Sequence, residues 1–358
     1  MNEWKKVKLR ELITIRNGKD HKLLHDGIYP VYGSGGIMRY VDRFLYDKES
    51  VLLPRKGTLN NIQYAKSPFW TVDTCYYTVV DTEKVNPYFL YRYLGLFDIE
   101  SLNTGSAVPS MTFDKYYSLD IHLPSIDTQQ RIATILSRYD SLIENYQKQI
   151  KLLEESAQRL YKEWFVDLRF PGHENTKIVD GIPEGWEKKK VGDLISKVRR
   201  TKQVSANNYL NSGCIPVIDQ SRNYIAGYTN DIESLVEVSI PYIVFGDHTR
   251  VLKYVSFSFA KGADGTQLIM SNDLERMPQS LFYNSLIEID LSNYSYARHF
   301  KYLKEESILV PSKDIAQRYD KVVSQHCQSI QKSRDQIRHL TEARDRLLPK
   351  LMNGKIEV

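Results

Sequence analysis

An internal repeat runs through this chain, and it constrains the fold more than any single motif, because each copy must close a core of its own. Trp4, Leu9 and Leu12 recur with the same spacing as Trp186, Val191 and Leu194. GIYPV at 27–31 returns as GCIPV at 213–217, and LPRKGT at 53–58 aligns with VFGDHT at 244–249. Asn86-Pro87 opens YFLYRYL as Met277-Pro278 opens QSLFYNSL, and Leu123-Pro124-Ser125 closes one copy as Val310-Pro311-Ser312 closes the other. Each match is poor alone, but the order never breaks and the offsets stay between 182 and 191 residues.

Both copies end in a heptad pattern. Ile132, Leu136, Tyr139, Ile143, Tyr146, Ile150, Leu153, Ala157, Leu160 and Trp164 step by alternating fours and threes, the spacing of a coiled-coil seam. The positions 187 further on are Tyr319, Val323, His326, Ile330, Ser333, Ile337, Leu340, Arg344, Leu347 and Leu351, the same register with three polar intrusions. Asp127 with Gln130, and Asp314 with Gln317, have the N-cap and N3 spacing shortly after a proline. A helix over 128–164 is about 55 Å long at 1.5 Å per residue. Its apolar seam needs a partner in water, and the other helix supplies one. Two copies related by a two-fold axis would set the helices antiparallel. Residues 165–185, with PGHENTK and GIPEG, are long enough for the return and read as an exposed connection.

The expected fold is therefore α+β: two tandem mixed α/β domains separated by two long helices that form an antiparallel coiled coil, with pseudo-two-fold symmetry. The boundaries read as a first domain at 1–125, a first spacer helix at 126–164, a linker at 165–185, a second domain at 186–311 and a second spacer helix at 312–352. Within the domains, β-rich runs at 51–53, 76–80, 242–245 and 255–259 are separated by Gly, Asn and Asp turns. Most of the 25 tyrosines read as sheet packing.

Composition narrows the class. A length of 358 residues suits two domains, and 42% hydrophobic residues against 26% charged exclude general disorder. Cys75, Cys214 and Cys327 stand far apart, against a disulfide framework or a zinc site and in keeping with the cytoplasm. No apolar run approaches the roughly 20 residues that cross a bilayer, so a membrane role drops out. A formal charge of +5 permits a nucleic-acid partner without requiring one.

Local placement of polar groups must then decide. Gly33, Ser34, Gly35 and Gly36 offer backbone amides to a phosphate, although no GxxxxGK[ST] is present and a plain turn is the better reading of the glycines themselves. Arg55, Lys56, Gly57 and Thr58, followed by Asn60 and Asn61, combine cations, a hydroxyl and amides suited to phosphates and base edges. The second copy places His248, Thr249 and Arg250 there; different side chains at matching places suit two readers of different sequences, and drifting surface loops would look the same. Thr104, Ser106, Gln220, Arg222, Asn223 and Lys261 extend the candidate nucleic-acid-binding set. The basic runs at 188–190 and 197–202 either track a phosphate backbone or form a solvated face.

No catalytic or metal-binding group emerges. His21 and His25 have i,i+4 spacing without the glutamate of a zinc helix. Asp180 with Glu187, Lys188 and Lys189 only faintly matches a nuclease pattern, and His248 and His299 lack a visible partner for general base work.

These residues also carry a resemblance. YPVYGSGG at 29–36, LPRKGT at 53–58, LPSIDTQQRIA at 123–133, WFVDLRFPG at 164–172 and IPEGW at 182–186, together with the duplication, resemble the specificity subunit of a type I restriction-modification system over nearly the whole chain. The resemblance implies a non-catalytic subunit whose two target recognition domains each read one part of a split sequence in double-stranded DNA, with the helices as spacer. It implies docking of two methyltransferase subunits and recruitment of restriction subunits, the translocase and endonuclease. S-adenosylmethionine, ATP and Mg then belong to those partners, with no cofactor in this chain. By position it places Gly33 to Gly36 and Arg55 to Thr58 near DNA, while the second copy departs from the pattern at Asp247-His248-Thr249 and in NYSYARHF at 293–300. A coiled-coil scaffold without DNA specificity, and an autonomous nuclease, stand as the alternatives.

Overall fold

Ile13 and Ile15 are buried while Thr14 and Arg16 are exposed, the period of two that a sheet covered on one face imposes on its strands. The computed structural model describes residues 4–103, 108–294 and 298–358. The chain divides into two units, one made of 1–144 together with 337–358 and the other of 145–336.

In the first unit the strands are β1 (Lys5–Lys8), β2 (Ile13–Arg16), β3 (Asp26–Gly33), β4 (Gly36–Val41), β5 (Ser50–Pro54), β6 (Gln63–Ala65), β7 (Trp70–Thr71), β8 (Cys75–Val80) and β9 (Asp120–Leu123). Two short helices, α1 (Pro87–Leu94) and α2 (Phe113–Tyr117), precede the long α3 (Ile126–Tyr161). One sheet runs β2-β8-β5-β6, another runs β4-β3-β7, and β1 pairs with β9. The Asn-Pro dipeptide starts α1 for a local reason: the Asn86 side chain accepts from the Phe89 amide, and Pro87 fills a first-turn position whose missing N–H is no loss. The core joins Leu9, Leu53, Phe89 and Tyr116 to Ile132 and Leu136 of α3, and is closed by Leu351 and Met352 from the far end of the chain.

The second unit holds β10 (Ile178–Val179), β11 (Ile182–Pro183), β12 (Glu187–Lys190), β13 (Ile215–Ile218), β14 (Gly227–Thr229), β15 (Leu235–Val236) and β16 (Tyr242–Gly246). It continues with β17 (Leu252–Val255), β18 (Phe259–Lys261), β19 (Thr266–Ile269), α4 (Gln279–Ile287), α5 (His299–Glu305), β20 (Ser307–Val310) and α6 (Lys313–Met352). The sequence repeat is a repeat of topology. In the first unit β3 lies between antiparallel β4 and parallel β7, with Val31 opposite Trp70; in the second β13 lies between antiparallel β14 and parallel β18, with Val217 opposite Ala260. Strand β5 with β6 and β8 matches β16 with β17 and β19, and β1 with β9 matches β12 with β20.

All twenty seam positions of the two long helices are buried or half-buried, whereas the exposed apolar residues Leu142, Leu152 and Val322 lie off the seam. Within the second unit α3 and α6 run antiparallel: the Tyr319 hydroxyl donates to the Ala157 carbonyl at 3.2 Å, and Arg334 pairs with Glu154 at 3.0 Å. Ser333 donates to Gln149 at 3.4 Å and to the Ser329 carbonyl at 2.9 Å, so this polar intrusion is satisfied inside the seam. Within the first unit the order is also antiparallel, with Arg344 on Asp140 at 2.8 Å and Arg131 on the Val358 carbonyl at 3.2 Å.

Three sequence expectations change. Helix α3 starts at Ile126 and is capped by Ser125, whose Oγ accepts from the Thr128 amide at 3.3 Å, so Asp127 sits in the first turn rather than at the cap. Likewise α6 starts at Lys313, and Asp314 lies in its first turn, paired with Arg318; acids there complement the helix dipole without capping. Replacing Ser125 by Ala is expected to cost about 1 kcal/mol, read as a lower urea midpoint with an unchanged slope. The run at 255–259 is not one strand, because the chain leaves the β17 sheet after Val255 and enters the β18 sheet at Phe259. The connection at 165–185 is exposed only in part: Phe165 and Phe170 are buried, and the Phe170 ring lies 4.7 Å from that of Trp186.

Candidate nucleic-acid interface

In the first unit β3 and β4 are joined at the Gly33–Gly36 pair, which leaves Ser34 and Gly35 at the hairpin tip. Gly36 has φ +127, a backbone that favours glycine. The loop that follows β5 is packed against this tip. Asn61 donates to the Ser34 carbonyl and Gln63 to the Gly33 carbonyl, each at 2.8 Å. Gly57 has φ +87, and a Cβ there would lie 3.1 Å from Ser34 Oγ. The structure thus brings the two first-copy candidate segments onto one face.

Their side chains differ in what they are free to do. Lys56 and Thr58 are exposed. Arg55 is half-buried, reaches the Asp73 carbonyl at 3.4 Å and stands 5.8 Å from the Tyr76 ring centre. Asn60 is engaged within the fold: its carbonyl accepts from the Glu100 amide, and its amide group reaches Asp98 and Glu100. Thr104 and Ser106 lie outside the described residues.

The matching loop of the second unit is turned toward its own fold. Thr249 donates to the Gln220 carbonyl at 2.6 Å. Gln220 accepts from the His248 amide and donates to the Asp264 carbonyl, so both ends of its side chain are held. Arg250, at φ +62, places its guanidinium on the Leu291 carbonyl at 3.0 Å. Arg222 and Asn223 are exposed, and the Asn223 carbonyl accepts from Lys253. Lys253 is buried, also donates to the Asp219 carbonyl, and is brought down to about 8 by burial against the pull of the Asp219 carboxylate. Charge gathers elsewhere in this unit, where Lys261 of β18 shares two adjoining concavities with Arg199, Arg200 and Arg298. Burial first, and then the charge of Arg200, lower the Lys261 ammonium from its ordinary value. Sequence reasoning left the run containing Arg199 and Arg200 open and missed Arg298, for which the sequence offers no signal.

The weaker catalytic readings find structural roles. Glu187 is bonded by Arg276 and then Lys189, which hold its carboxyl down at about 2. Asp180 occupies the turn between β10 and β11 at φ +52. His299 is buried with its ring nitrogens on the Asp247 and Tyr294 carbonyls. Among the described residues no cluster of His, Cys, Asp and Glu is placed to hold a metal ion, and no helix is long and apolar enough to cross a membrane.

The chain thus carries two copies of one sheet module, each tied to long paired helices. Residues 1–155 match the family model described as the type I restriction modification DNA specificity domain. The chain is 25% identical over 346 residues to the type I restriction enzyme MjaIX specificity subunit of Methanocaldococcus jannaschii, covering 88% of this chain and 79% of that one. It is 29% identical over 148 residues to the EcoprrI specificity subunit of Escherichia coli, covering 39% of this chain and 37% of that one. The crystal structure of a type I restriction-modification S subunit from M. genitalium shares the fold with a TM-score of 0.65 at 19% identity, over 97% of this chain and 96% of the other. Over most of its length the chain is thus similar to type I restriction-modification specificity subunits.

Proposed function

We infer that this chain is the sequence-specific DNA-recognition subunit of a type I restriction-modification complex, with each unit reading one part of a bipartite duplex target. The observation that carries this reading is the duplication itself: one sheet topology occurs twice, with Arg55 to Thr58 on one loop face and the cluster around Lys261 on the other. Cations supply sequence-independent phosphate contacts, while differing side chains supply discrimination. The target recognition domains are 1–125 and 186–311, and the long helices serve as spacer and as the docking surface for two methyltransferase subunits. Restriction subunits join that assembly in the cytoplasm. S-adenosylmethionine, ATP and Mg serve those partners, and this chain is a reader rather than an enzyme.

Replacing residues 1–125 by the corresponding domain of another specificity subunit is expected to change one half of the methylated sequence and leave the other half intact. Methylated-base sequencing of the host genome reads both halves at once. Methylation that stays the same in both halves, in cells that express the chimaera with its methyltransferase, would refute the reading.

A further inference from the structure

In the second unit, Lys261 closes β18 beside the arm at 199–203, and the two adjoining concavities there, of about 410 and 330 Å³, both contain Gln203, Lys261 and Gln267. Two carboxylates line the second one. Asp247 is buried and accepts from the Phe300 amide, and Asp264 is exposed on a turn at φ +44. Neither pairs with a cation of the cluster, and among the described residues Arg199, Arg200, Lys261 and Arg298 have no hydrogen-bonded or ionic side-chain partner. Lys261 is half-buried with the Arg200 charge bearing on it, an arrangement of like charges that repels unless an anion joins it.

The hydroxyls point the same way. Thr266 is 2% exposed and its Oγ1 has no partner, and Thr201 Oγ1 in the neighbouring concavity is likewise buried and unpartnered. A buried hydroxyl without a bond is destabilising by about 1–3 kcal/mol. Ammonium, guanidinium, amide and hydroxyl groups can all donate, so the group these side chains suit is an anion rich in acceptors.

Among the described residues the first unit has no counterpart to this cation cluster. In the parallel register Ile218 faces Lys261 as Tyr32 faces Thr71, and the Val204 amide bonds the Lys261 carbonyl as the Lys19 amide bonds that of Thr71. Thr71 is fully buried and its Oγ1 is likewise unpartnered, so what sets the second unit apart is the cation cluster beside its hydroxyls and not an unpartnered hydroxyl by itself. The arm before Lys19 lies so close that a Cβ on Gly18 would sit 2.0 Å from the Val72 carbonyl oxygen. The arm is thus packed directly onto the strand end there.

We propose that Lys261, Arg200, Arg298, Thr201 and Thr266 form a seat for a backbone phosphodiester of DNA, at a place where the first unit has none. This rests on the DNA-reading function above. The duplicated modules therefore grip the duplex through non-equivalent positions, the first by the loop after β5 and the second by the 199–203 arm and the end of β18.

The test uses the full chain, duplexes of several unrelated sequences and inorganic phosphate as probes, with fluorescence anisotropy over a salt series and thermal unfolding. Lys261→Gln is expected to weaken binding about tenfold by the same factor on every duplex, and to reduce the slope of log affinity against log salt by about one. Lys261→Arg should restore both. If Lys261→Gln does not fold, Arg200→Gln on the exposed arm carries the same expectation. Variants that bind duplex as tightly and as salt-dependently as the parent overturn the seat and leave the DNA-reading function standing, whereas a parent chain that retains no duplex overturns both. Loss confined to particular sequences makes this a base contact and overturns the phosphate assignment. Phosphate that raises the melting point of the parent but not of Lys261→Gln, with equal duplex affinities, assigns the seat to free phosphate and likewise overturns it.

Discussion

Replacing Asp140 by Ala is expected to destabilise the first unit by about 3–5 kcal/mol, the usual consequence of stripping one partner from a buried ion pair. Asp140 of α3 receives Arg344 of α6 at 2.8 Å and also binds Arg92 and the Tyr88 hydroxyl of α1. These charged side chains are 12–19% exposed, so water cannot replace the lost carboxylate for two guanidinium groups. Burial alone would raise the Asp140 carboxyl, but hydrogen bonds from Tyr88 and Arg344 and the charge of Arg92 outweigh it and hold the group below its ordinary 3.8. A depressed folded-state value means the stabilisation is complete above the unfolded value and disappears as pH falls through the folded one. Urea unfolding at neutral pH should thus separate parent and variant widely, and the gap should close in strong acid. A gap that persists unchanged in strong acid would assign the stability to packing rather than to the ion network. Exchanging Asp140, Arg92 and Arg344 together for apolar residues of similar volume should recover most of the loss, because no charge of the network is then left unpaired.

That network marks where sequence reading succeeds and where it stops. Every position the heptad register named is buried or half-buried, and Arg344 stood out as a polar intrusion, because a seam is a one-dimensional pattern that the chain carries in its own spacing. Its partner Asp140 was invisible, since it follows seam residue Tyr139 and its burial comes from α1, which only the tertiary fold brings near. The strands at 50–54, 75–80 and 242–246 were legible for the same local reason. The run at 255–259 misled because β-rich composition does not register a change of sheet. Phe165 and Phe170 misled because their burial depends on Trp186, far along the chain. The candidate interface divides in the same way. Glycines at 33–36 and the loop at 55–61 announced a turn and a polar loop, yet their contact through Asn61 and Ser34 is tertiary. In the second copy, alignment with the 53–58 loop drew attention to Thr249 and Arg250, whose side chains bond to Gln220 and Leu291 of their own unit. Equivalent places in a duplicated fold preserve backbone geometry, not the direction in which a long polar side chain finds its partner.

Removing residues 345–358 is expected to unfold the first unit and spare the second, although the deletion lies at the opposite end of the chain from the strands it destroys. Leu351 and Met352 are 1% and 3% exposed in the same core as Leu9 and Phe89, with Leu347, Leu348 and Val358 packed against it. Gly354, at φ +71, turns the chain so that a Cβ there would lie 3.0 Å from the Trp4 indole nitrogen. Truncating a buried Leu or Met side chain typically costs about 2–5 kcal/mol, and removing several at once exceeds the roughly 5–15 kcal/mol that holds a domain together. The second unit has its own core around Ala157, Tyr161, Phe245 and Tyr319, none of it in the deleted segment. Limited proteolysis of the truncated chain should therefore leave a protected fragment that maps within 145–336 and digest the rest; protection of both units, or of neither, would contradict this division of the core. Because Trp4 and Gly354 already touch, a permuted chain that joins residue 358 to residue 4 by a short flexible segment and opens at the Asp180–Gly181 turn keeps the contacts of the first unit intact. It should protect both units from protease, and a permutant that loses the first unit would show that the tail is held by something other than these contacts.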